Sequence, residues 1–447
     1  MSMRKELVLT IMMLSVLTVG GRAADHFVRI EGRHFLLEGR PWYVCGTNFW
    51  YGAYLGMPDN PSGRARLVRE LDRLQKLGVN NLRVLGASEA CAVAGTVKPA
   101  IQEAPGVYNE TVLAGLDYLI QEAGRRNIRL VLFLNNFWDW SGGIPQYLSW
   151  ATGNPAVGLG GPWKEWNRLQ TTFYTNEKAQ AMYRAYIGMI VNRTNTLTGC
   201  TYRDDPTIMA WELANEPRPG ERDEDNETVF RTFLAWVDAT SAYIHTLDRN
   251  HLVTTGSEGF QGCLYTDERV REVHAVKTID YLCFHLWPKN WGWFKFDRFA
   301  ETIEPTLEKS ADYVRRHIAI GDALNKPAVC EEFGLDRDGG PEAGRPTASR
   351  DRFYRFVFSM IEESATRGGA SAGSNFWLWG GEGRPAAPGA PVPADRVGAG
   401  DMPQEPPGLN TVRDCDENTL QIIADHFGRM RLLGQNQARG PNPAATP

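Results

Sequence analysis

The sequence predicts a single (β/α)8 barrel, an α/β fold of the TIM type, with a short N-terminal β-hairpin. Three observations predict it. Eight short apolar runs each end in polar or aromatic residues. Segments of helical period lie between the runs. No glycine-rich fingerprint follows the first run, which argues against an open doubly wound sheet. Strand then helix, repeated, implies a parallel sheet with helices outside, and eight such units in roughly 400 residues fit a closed barrel.

The elements follow in order. Arg4 and Lys5 precede an apolar stretch from Leu7 to Gly21 and a small-x-small pattern at Gly21-Arg22-Ala23. This reads as a signal peptide over residues 1–23, since the stretch is shorter than the roughly 20 residues a membrane span needs. The protein is therefore expected to be secreted or periplasmic, with no membrane association after cleavage. "FVRIEGRHFLLEGR" alternates and turns at Glu31-Gly32, the hairpin signature. The strand runs are "WYVCGTNFW" (42–50), "NLRVLG" (81–86), "IRLVLFLNNFW" (128–138), "TIMAWELANE" (207–216), "LVTTGSEG" (252–259), "YLCFHLW" (281–287), "PAVCEEFG" (327–334) and "SNFWLWGG" (374–381). "ARLVRELDRLQKLG" (65–78) is typical of the helices, with apolar residues three and four apart and a closing glycine. One domain spans 24–436. It includes a Pro/Gly/Ala-rich stretch, 382–408, that follows the last strand and would lie over the active face. Its prolines and scarcity of aromatics favour a solvated excursion over a lid. Residues 437–447 read as a disordered tail.

Composition narrows the function. A net charge of −5 argues against a nucleic-acid partner, which would need a basic face. The seven cysteines show no CxxC and no zinc spacing. Cys45, Cys283 and Cys330 lie inside apolar runs and read as buried free thiols. No phosphate loop, metal constellation or cofactor motif is present, so no cofactor or metal is expected. A monomer is expected. Fourteen tryptophans supply either core or flat faces for a sugar ring.

In a barrel of this kind the functional groups gather at the C-terminal strand ends. Those ends carry Asn48 and Trp50, Arg83, Asn135 and Asn136, Asn215 and Glu216, His285 and Trp287, Glu331 and Glu332, then Trp377 and Trp379. The fourth run is apolar until it reaches Asn215-Glu216, and Pro217 then stops it. Alternation along the strand would send Asn215 away from the face of Glu216 unless the strand bends. Strands four and seven lie across the mouth from each other, so Glu216 can face Glu332. Two such carboxylates suit glycosidic bond cleavage, one as acid and one as nucleophile or base. The acid must keep its proton, and the nucleophile must be held ionised by a donor such as Arg83. Taken singly, either carboxylate could equally cap a helix or form a surface ion pair. His285 could be a base or a hydrogen-bond partner. Trp50, Trp138, Trp287, Trp377 and Trp379 could be core or a stacking platform.

These motifs resemble glycoside hydrolase family 5, and most closely its endo-β-1,4-mannanase subfamily. "WELANEPR" (211–218), "CEEFG" (330–334), "NLRV", "FHLWP" and "NFWLWG" carry the resemblance, which runs from about Phe27 to about Leu433. The resemblance implies Glu216 as acid/base and Glu332, rather than Glu331, as nucleophile. It implies Arg83, His285 and Trp377 as their companions, and Arg218 as a leaving-side sugar contact. Asn215 would bind the 2-hydroxyl, and Asn136 and Trp138 join the substrate-binding set. Many family members place a tyrosine two residues after the histidine, where this chain has Trp287. The implied activity is retaining hydrolysis of internal β-1,4 bonds in mannan, glucomannan or galactomannan. An exo-β-mannosidase or a β-1,4-glucanase of the same family is the alternative among enzymes. A polysaccharide-binding protein is the alternative outside them.

Overall fold

The computed structural model describes residues 26–221, 226–342, 344–384, 400–406 and 408–438. The expected signal peptide, most of the 382–408 stretch and the tail beyond 438 lie outside the described residues. Eight parallel strands form one sheet: β1 (Val44–Asn48), β2 (Asn81–Leu85), β3 (Arg129–Phe133), β4 (Ile208–Glu212), β5 (Leu252–Thr254), β6 (Leu282–Leu286), β7 (Ala328–Phe333) and β8 (Ser371–Phe376). The ladder order is 5-4-3-2-1-8-7-6. The remaining seam, between β5 and β6, is drawn together by Asp280 N–H to Val253 O at 2.8 Å and His285 N–H to Glu258 O at 3.2 Å. The sheet is thereby nearly closed into a barrel.

Eight helices flank it: α1 (Pro61–Lys76), α2 (Glu110–Gly124), α3 (Glu177–Val191), α4 (Asn226–Leu247), α5 (Asp267–His274), α6 (Phe299–Leu324), α7 (Ala348–Thr366) and α8 (Glu417–Ala438). α1 begins before the expected residue 65. Asn60 caps it, accepting from Gly63 N–H at 2.9 Å, and Pro61 suits the first turn. α8 continues to Ala438, two residues past the expected domain end. Two further helices, Gly143–Thr152 and Trp163–Thr171, are inserted after β3. No described helix is long and apolar enough to cross a membrane.

Strand alternation divides the apolar residues between two cores. Cys45, Leu130, Leu132, Trp211, Val253, Phe284 and Cys330 pack outward, against the helices. Val44, Val131, Ala210, Leu252, Cys283, Val329 and Ala372 fill the barrel interior. The N-terminal hairpin plugs the bottom of that interior with Val28 and Phe35, the latter edge-on to Tyr281 at 5.4 Å. It carries a third strand beyond the two expected, Arg40–Trp42, after a turn at Glu38-Gly39. All seven cysteines are free, and Cys45, Cys283 and Cys330 are buried.

The eighth run departs from its expected bounds. β8 starts at Ser371 and ends at Phe376, while Trp379–Gly381 leaves the barrel to pair with Val412–Arg413. Trp377 therefore stays with the barrel mouth and Trp379 does not.

Candidate active site

The site is built around Arg83. This side chain is fully buried in the middle of β2, not at its end. Its Nε donates to Glu212 Oε2 at 2.8 Å, and its Nη2 donates to the other oxygen of Glu212 and to Asn215 Oδ1 at 2.7 Å. Its Nη1 donates to Asn48 Oδ1 at 3.1 Å and to Glu332. One planar cation thus sets four side chains from β1, β4, β7 and the loop after β4, which a lysine could not do.

Beyond Glu212 the chain bends. Asn215 bridges to Asn136, with N–H to Asn135 O at 2.9 Å, and Glu216 N–H reaches Gly256 O at 2.8 Å. Glu216 sits in the left-handed region at φ 52°, uncommon for a residue with a side chain. The bend needs a glycine opposite: a Cβ on Gly256 would lie 1.9 Å from Ala214 O and 2.2 Å from Glu212 Oε1. As a result Asn215 and Glu216 both line one cavity of about 310 Å³, with Trp138, Trp287, Glu332 and Trp377.

β7 settles which of the two neighbouring glutamates faces that cavity. Phe284 pairs with Cys330 and His285 with Glu332, so the ladder skips Glu331. Glu331 is buried away from the mouth, its Oε1 accepting from Tyr281 O–H at 2.8 Å. Glu332 takes Arg83 on one oxygen and the Trp287 indole N–H on the other at 3.1 Å. The indole therefore occupies the place where the resemblance would put a phenol. Glu216 accepts from Trp138 Nε1 at 2.6 Å and meets His285 Nδ1 at 2.7 Å. His285 Nδ1 also lies 3.3 Å from Glu332.

Electrostatics separates the two carboxylates. Burial pushes both above the usual carboxylate range. Arg83 opposes this at Glu332, while Glu216 and Glu212 add to it. At Glu216 the chief opposition comes from Arg218, whose guanidinium is already bonded to Glu258. Arg83 is bonded to Glu332 and not to Glu216, so the two carboxylates have different cationic partners. Burial and Arg83 hold His285 well below the usual imidazole range, so its ring is neutral and Nδ1–H can donate. One atom each of Glu216, His285 and Glu332 lies within 4.8 Å of the others. That spacing would also admit a cation, but guanidinium and indole donors already occupy the carboxylates.

The glycoside hydrolase family 5 β-mannosidase-like family matches residues 25–435. The chain belongs to that family. It is 30% identical over 438 residues to a putative mannan endo-1,4-β-mannosidase 4 of Arabidopsis thaliana, covering 93% of this chain and 95% of the relative. It is 31% identical to mannan endo-1,4-β-mannosidase 1 of Oryza sativa, covering 93% and 90%. A family 5 mannosidase from Rhizomucor miehei superposes with a TM-score of 0.84 at 32% identity, covering 92% of this chain and 99% of that one. A mutant of that enzyme in complex with mannosyl-fructose gives 0.85. The endo-1,4-β-mannanase from the same organism, 24% identical, shares the fold at 0.67.

The remaining family 5 candidates fall on both sides of the cavity wall. Trp377 lines the cavity edge-on to Trp287 at 5.8 Å. Trp138 lines it too, stacked with Trp163 and Trp166 from the inserted helix. Arg218 lies over Trp138 at 5.3 Å and Trp163 at 5.2 Å. Asn136 stands behind the wall, accepting from Asn215 Nδ2 and Trp138 N–H, both at 3.1 Å. Trp50 is buried against Trp140 and donates to Gly400 O at 2.9 Å. Trp379 turns away to α1 and donates to Glu70 Oε2 at 3.1 Å.

Several residues went unnoticed in the sequence. Glu212 is the second acceptor of Arg83; a lone carboxylate inside an apolar run was the available signal. Glu258, at the end of the fifth run, clamps Arg218 and accepts from Trp291 Nε1 at 2.9 Å. Burial holds its carboxyl up at about 7. Met402, Gln404 and Glu405 line the cavity from the described end of the 382–408 stretch. That part of the stretch is a wall of the site, not a solvated excursion.

Proposed function

We propose that the chain is a retaining endo-β-1,4-mannanase, with Glu332 as nucleophile and Glu216 as general acid/base. The observation that carries this is the pair itself: oxygens within 4.8 Å, with Arg83 on Glu332 alone. Retaining pairs stand about 5–5.5 Å apart, and inverting pairs about 6.5–9.5 Å to admit a water. The names of the plant relatives, mannan endo-1,4-β-mannosidases, support the substrate and the internal cut.

The steps follow from the donors. A Glu332 oxygen attacks the anomeric carbon, the bond to the leaving oxygen breaks, and the proton of Glu216 passes to that oxygen. Glu216, now ionised, takes a proton from water. The water oxygen attacks the same carbon and releases the Glu332 carboxylate. Trp287 and Arg83 hold Glu332 in its ionised form; Trp138 and His285 hold Glu216 in place. Arg83 fixes the Asn215 amide oxygen and Asn136 takes one N–H of its NH2, which leaves the second N–H for a sugar hydroxyl. Trp377 and Trp138 offer apolar faces to the rings on either side. No step draws on a cofactor, and a monomer contains every group named. The basic-then-apolar N-terminus supports export.

A second reading, release of single mannose units from a chain end, has two observations in its favour. Met402, Gln404 and Glu405 close one side of the cavity, and the better superposition is on the Rhizomucor miehei mannosidase. Product analysis separates the readings. The chain and its Glu332→Ala variant are incubated with β-1,4-mannan, glucomannan and carboxymethyl-cellulose, and products are resolved by size and by anomeric proton signal. Mixed mannooligosaccharides with β-anomers appearing first, absent in the variant, are expected. Mannose alone would establish the second reading, and α-anomers appearing first would refute retention.

A further inference from the structure

Beside the wall segment 400–406 lies a cluster of charges in which one buried guanidinium has no acceptor. Arg413 follows that segment, paired through Val412–Arg413 to Trp379–Gly381. Arg413 is fully buried, and none of its Nε, Nη1 and Nη2 atoms has a hydrogen-bond partner. The neighbouring carboxylates are committed elsewhere. Asp416 accepts from Arg337 Nη2 at 2.5 Å and from the Arg413 backbone N–H at 2.9 Å, and lies 3.7 Å from Arg350. Asp414 is bonded to Arg384. Asp401 accepts from Gly408 N–H at 2.8 Å, Asn410 N–H at 3.0 Å and the Thr411 hydroxyl. Arg350 spends its donors on the carbonyls of Leu335, Leu409 and Thr411. Arg337 Nε is also buried and unpartnered.

A guanidinium stays protonated in proteins, and an uncompensated buried charge costs several kcal/mol. Buried donors of this kind are nearly always satisfied by protein, water or an ion. Asp401 and Asp416 lend Arg413 some negative field, but their oxygens are spent on other donors, so the guanidinium has no acceptor of its own. We propose that Arg413 is the core of an anion-binding site, closed by Gly408 and Arg337, that takes a small inorganic anion of the chloride class. The anion accepts from the guanidinium and pins the turn through Gly408 to Thr411. Asp401 hangs on that turn, and Met402, Gln404 and Glu405 follow from it. Burial, Arg337 and Arg384 press on the charge of Arg413 by more than Asp401 and Asp416 offset, and an anion would relieve this. Close approach at this place needs Gly408, at φ 90°, since a Cβ there would lie 2.7 Å from the Pro341 carbonyl oxygen and 2.4 Å from Arg413 Nη2. The site is independent of which glycan is cut.

Two measurements test it. The melting temperature of the full chain is followed against sodium chloride, with sodium gluconate keeping ionic strength constant. A saturable rise is expected, ~3 °C at about 100 times the dissociation constant, and absent in Arg413→Met. Crystals soaked in sodium bromide should show an anomalous peak within hydrogen-bond reach of Arg413. Equal melting in the two salts, a chloride response retained in Arg413→Met, or no bromide peak at Arg413 would each overturn the proposal. Should Arg413→Met fail to fold, the native titration and the bromide peak decide.

Discussion

Arg83→Met removes the cation on which the site is assembled. Arg83 is fully buried and donates to both oxygens of Glu212, to Glu332, to Asn48 and to Asn215. Removing one partner of a buried ion pair costs about 3–5 kcal/mol, because the other charge is left unpaired. Unfolding entropy near 2.1 cal/mol/K per residue, over roughly 400 residues, is about 0.8 kcal/mol/K. The melting temperature at pH 7 should therefore fall by ~4–6 °C. The sign with pH is fixed by the partners. Without Arg83 the buried carboxylates are pushed higher still and take up protons, so the loss shrinks in acid and grows in alkali. Turnover should fall by about 10²–10³-fold, the scale for losing one preorganised charge-stabilising donor. Arg83→Lys restores the charge without the fork, and should recover stability better than turnover. Scanning calorimetry at pH 5, 7 and 8 and turnover of an aryl β-mannoside read both effects. A melting temperature within 1 °C of the parent at pH 7, or a loss equal at pH 5 and pH 8, would refute the reasoning.

Trp287→Phe deletes the indole N–H on Glu332, and turnover should drop ~10-fold, near the 1.5 kcal/mol of a hydrogen bond to a charged group. Trp287→Tyr, which keeps a donor, should lose less. Trp379→Phe loses only the bond to Glu70, so melting should fall by ~1–2 °C, from about 1 kcal/mol, with KM on mannan unchanged. Buried Glu89 and Glu331 are held up at about 8, and Glu258 at about 7. Their folded values exceed the unfolded ones, so the stability they contribute is complete below about pH 4.5 and is lost as pH rises through 7 to 8. Melting temperature should accordingly decline from pH 5 to pH 8. Glu89→Gln should flatten that decline, and an unchanged slope in the variant would contradict it.

Strand ends were legible because apolar runs broke off at functional side chains. That rule led to Arg83, Asn215, Glu216, His285 and Glu332 together. It could not separate what points into the mouth from what points away. Trp50 and Trp379 also end apolar runs, yet one supports Gly400 and the other reaches Glu70. Glu331 and Glu332 differ only by a ladder irregularity between β6 and β7, which has no trace in composition. The bend that brings Asn215 and Glu216 to one cavity depends on Gly256, some forty residues on, just past the end of β5. Trp163 and Trp166 come from an inserted helix, where no strand-end rule applies. The 382–408 stretch looked solvated because its prolines outnumber its aromatics. Its described end is held instead by local bonds to Asp401, which composition does not register.

The proton that the first step needs follows from a count of charges more than from any single neighbour. Glu212, Glu216 and Glu332 converge on one barrel mouth, and Arg83 is the cation bonded to two of them. His285 is kept neutral, and Arg218 is bonded to Glu258. Three carboxylates served by one directly bonded cation cannot all ionise in a buried site. Arg83 claims Glu212 with two bonds and Glu332 with a third, so in the proposed mechanism the proton left over is assigned to Glu216. A variant that lowers the count, Glu212→Gln, should therefore let Glu216 ionise at lower pH. The alkaline limb of kcat/KM should move toward acid, while the limb set by Glu332 moves the same way. If the alkaline limb stays fixed in Glu212→Gln, the proton on Glu216 is held by its immediate donors and not by the shared charge.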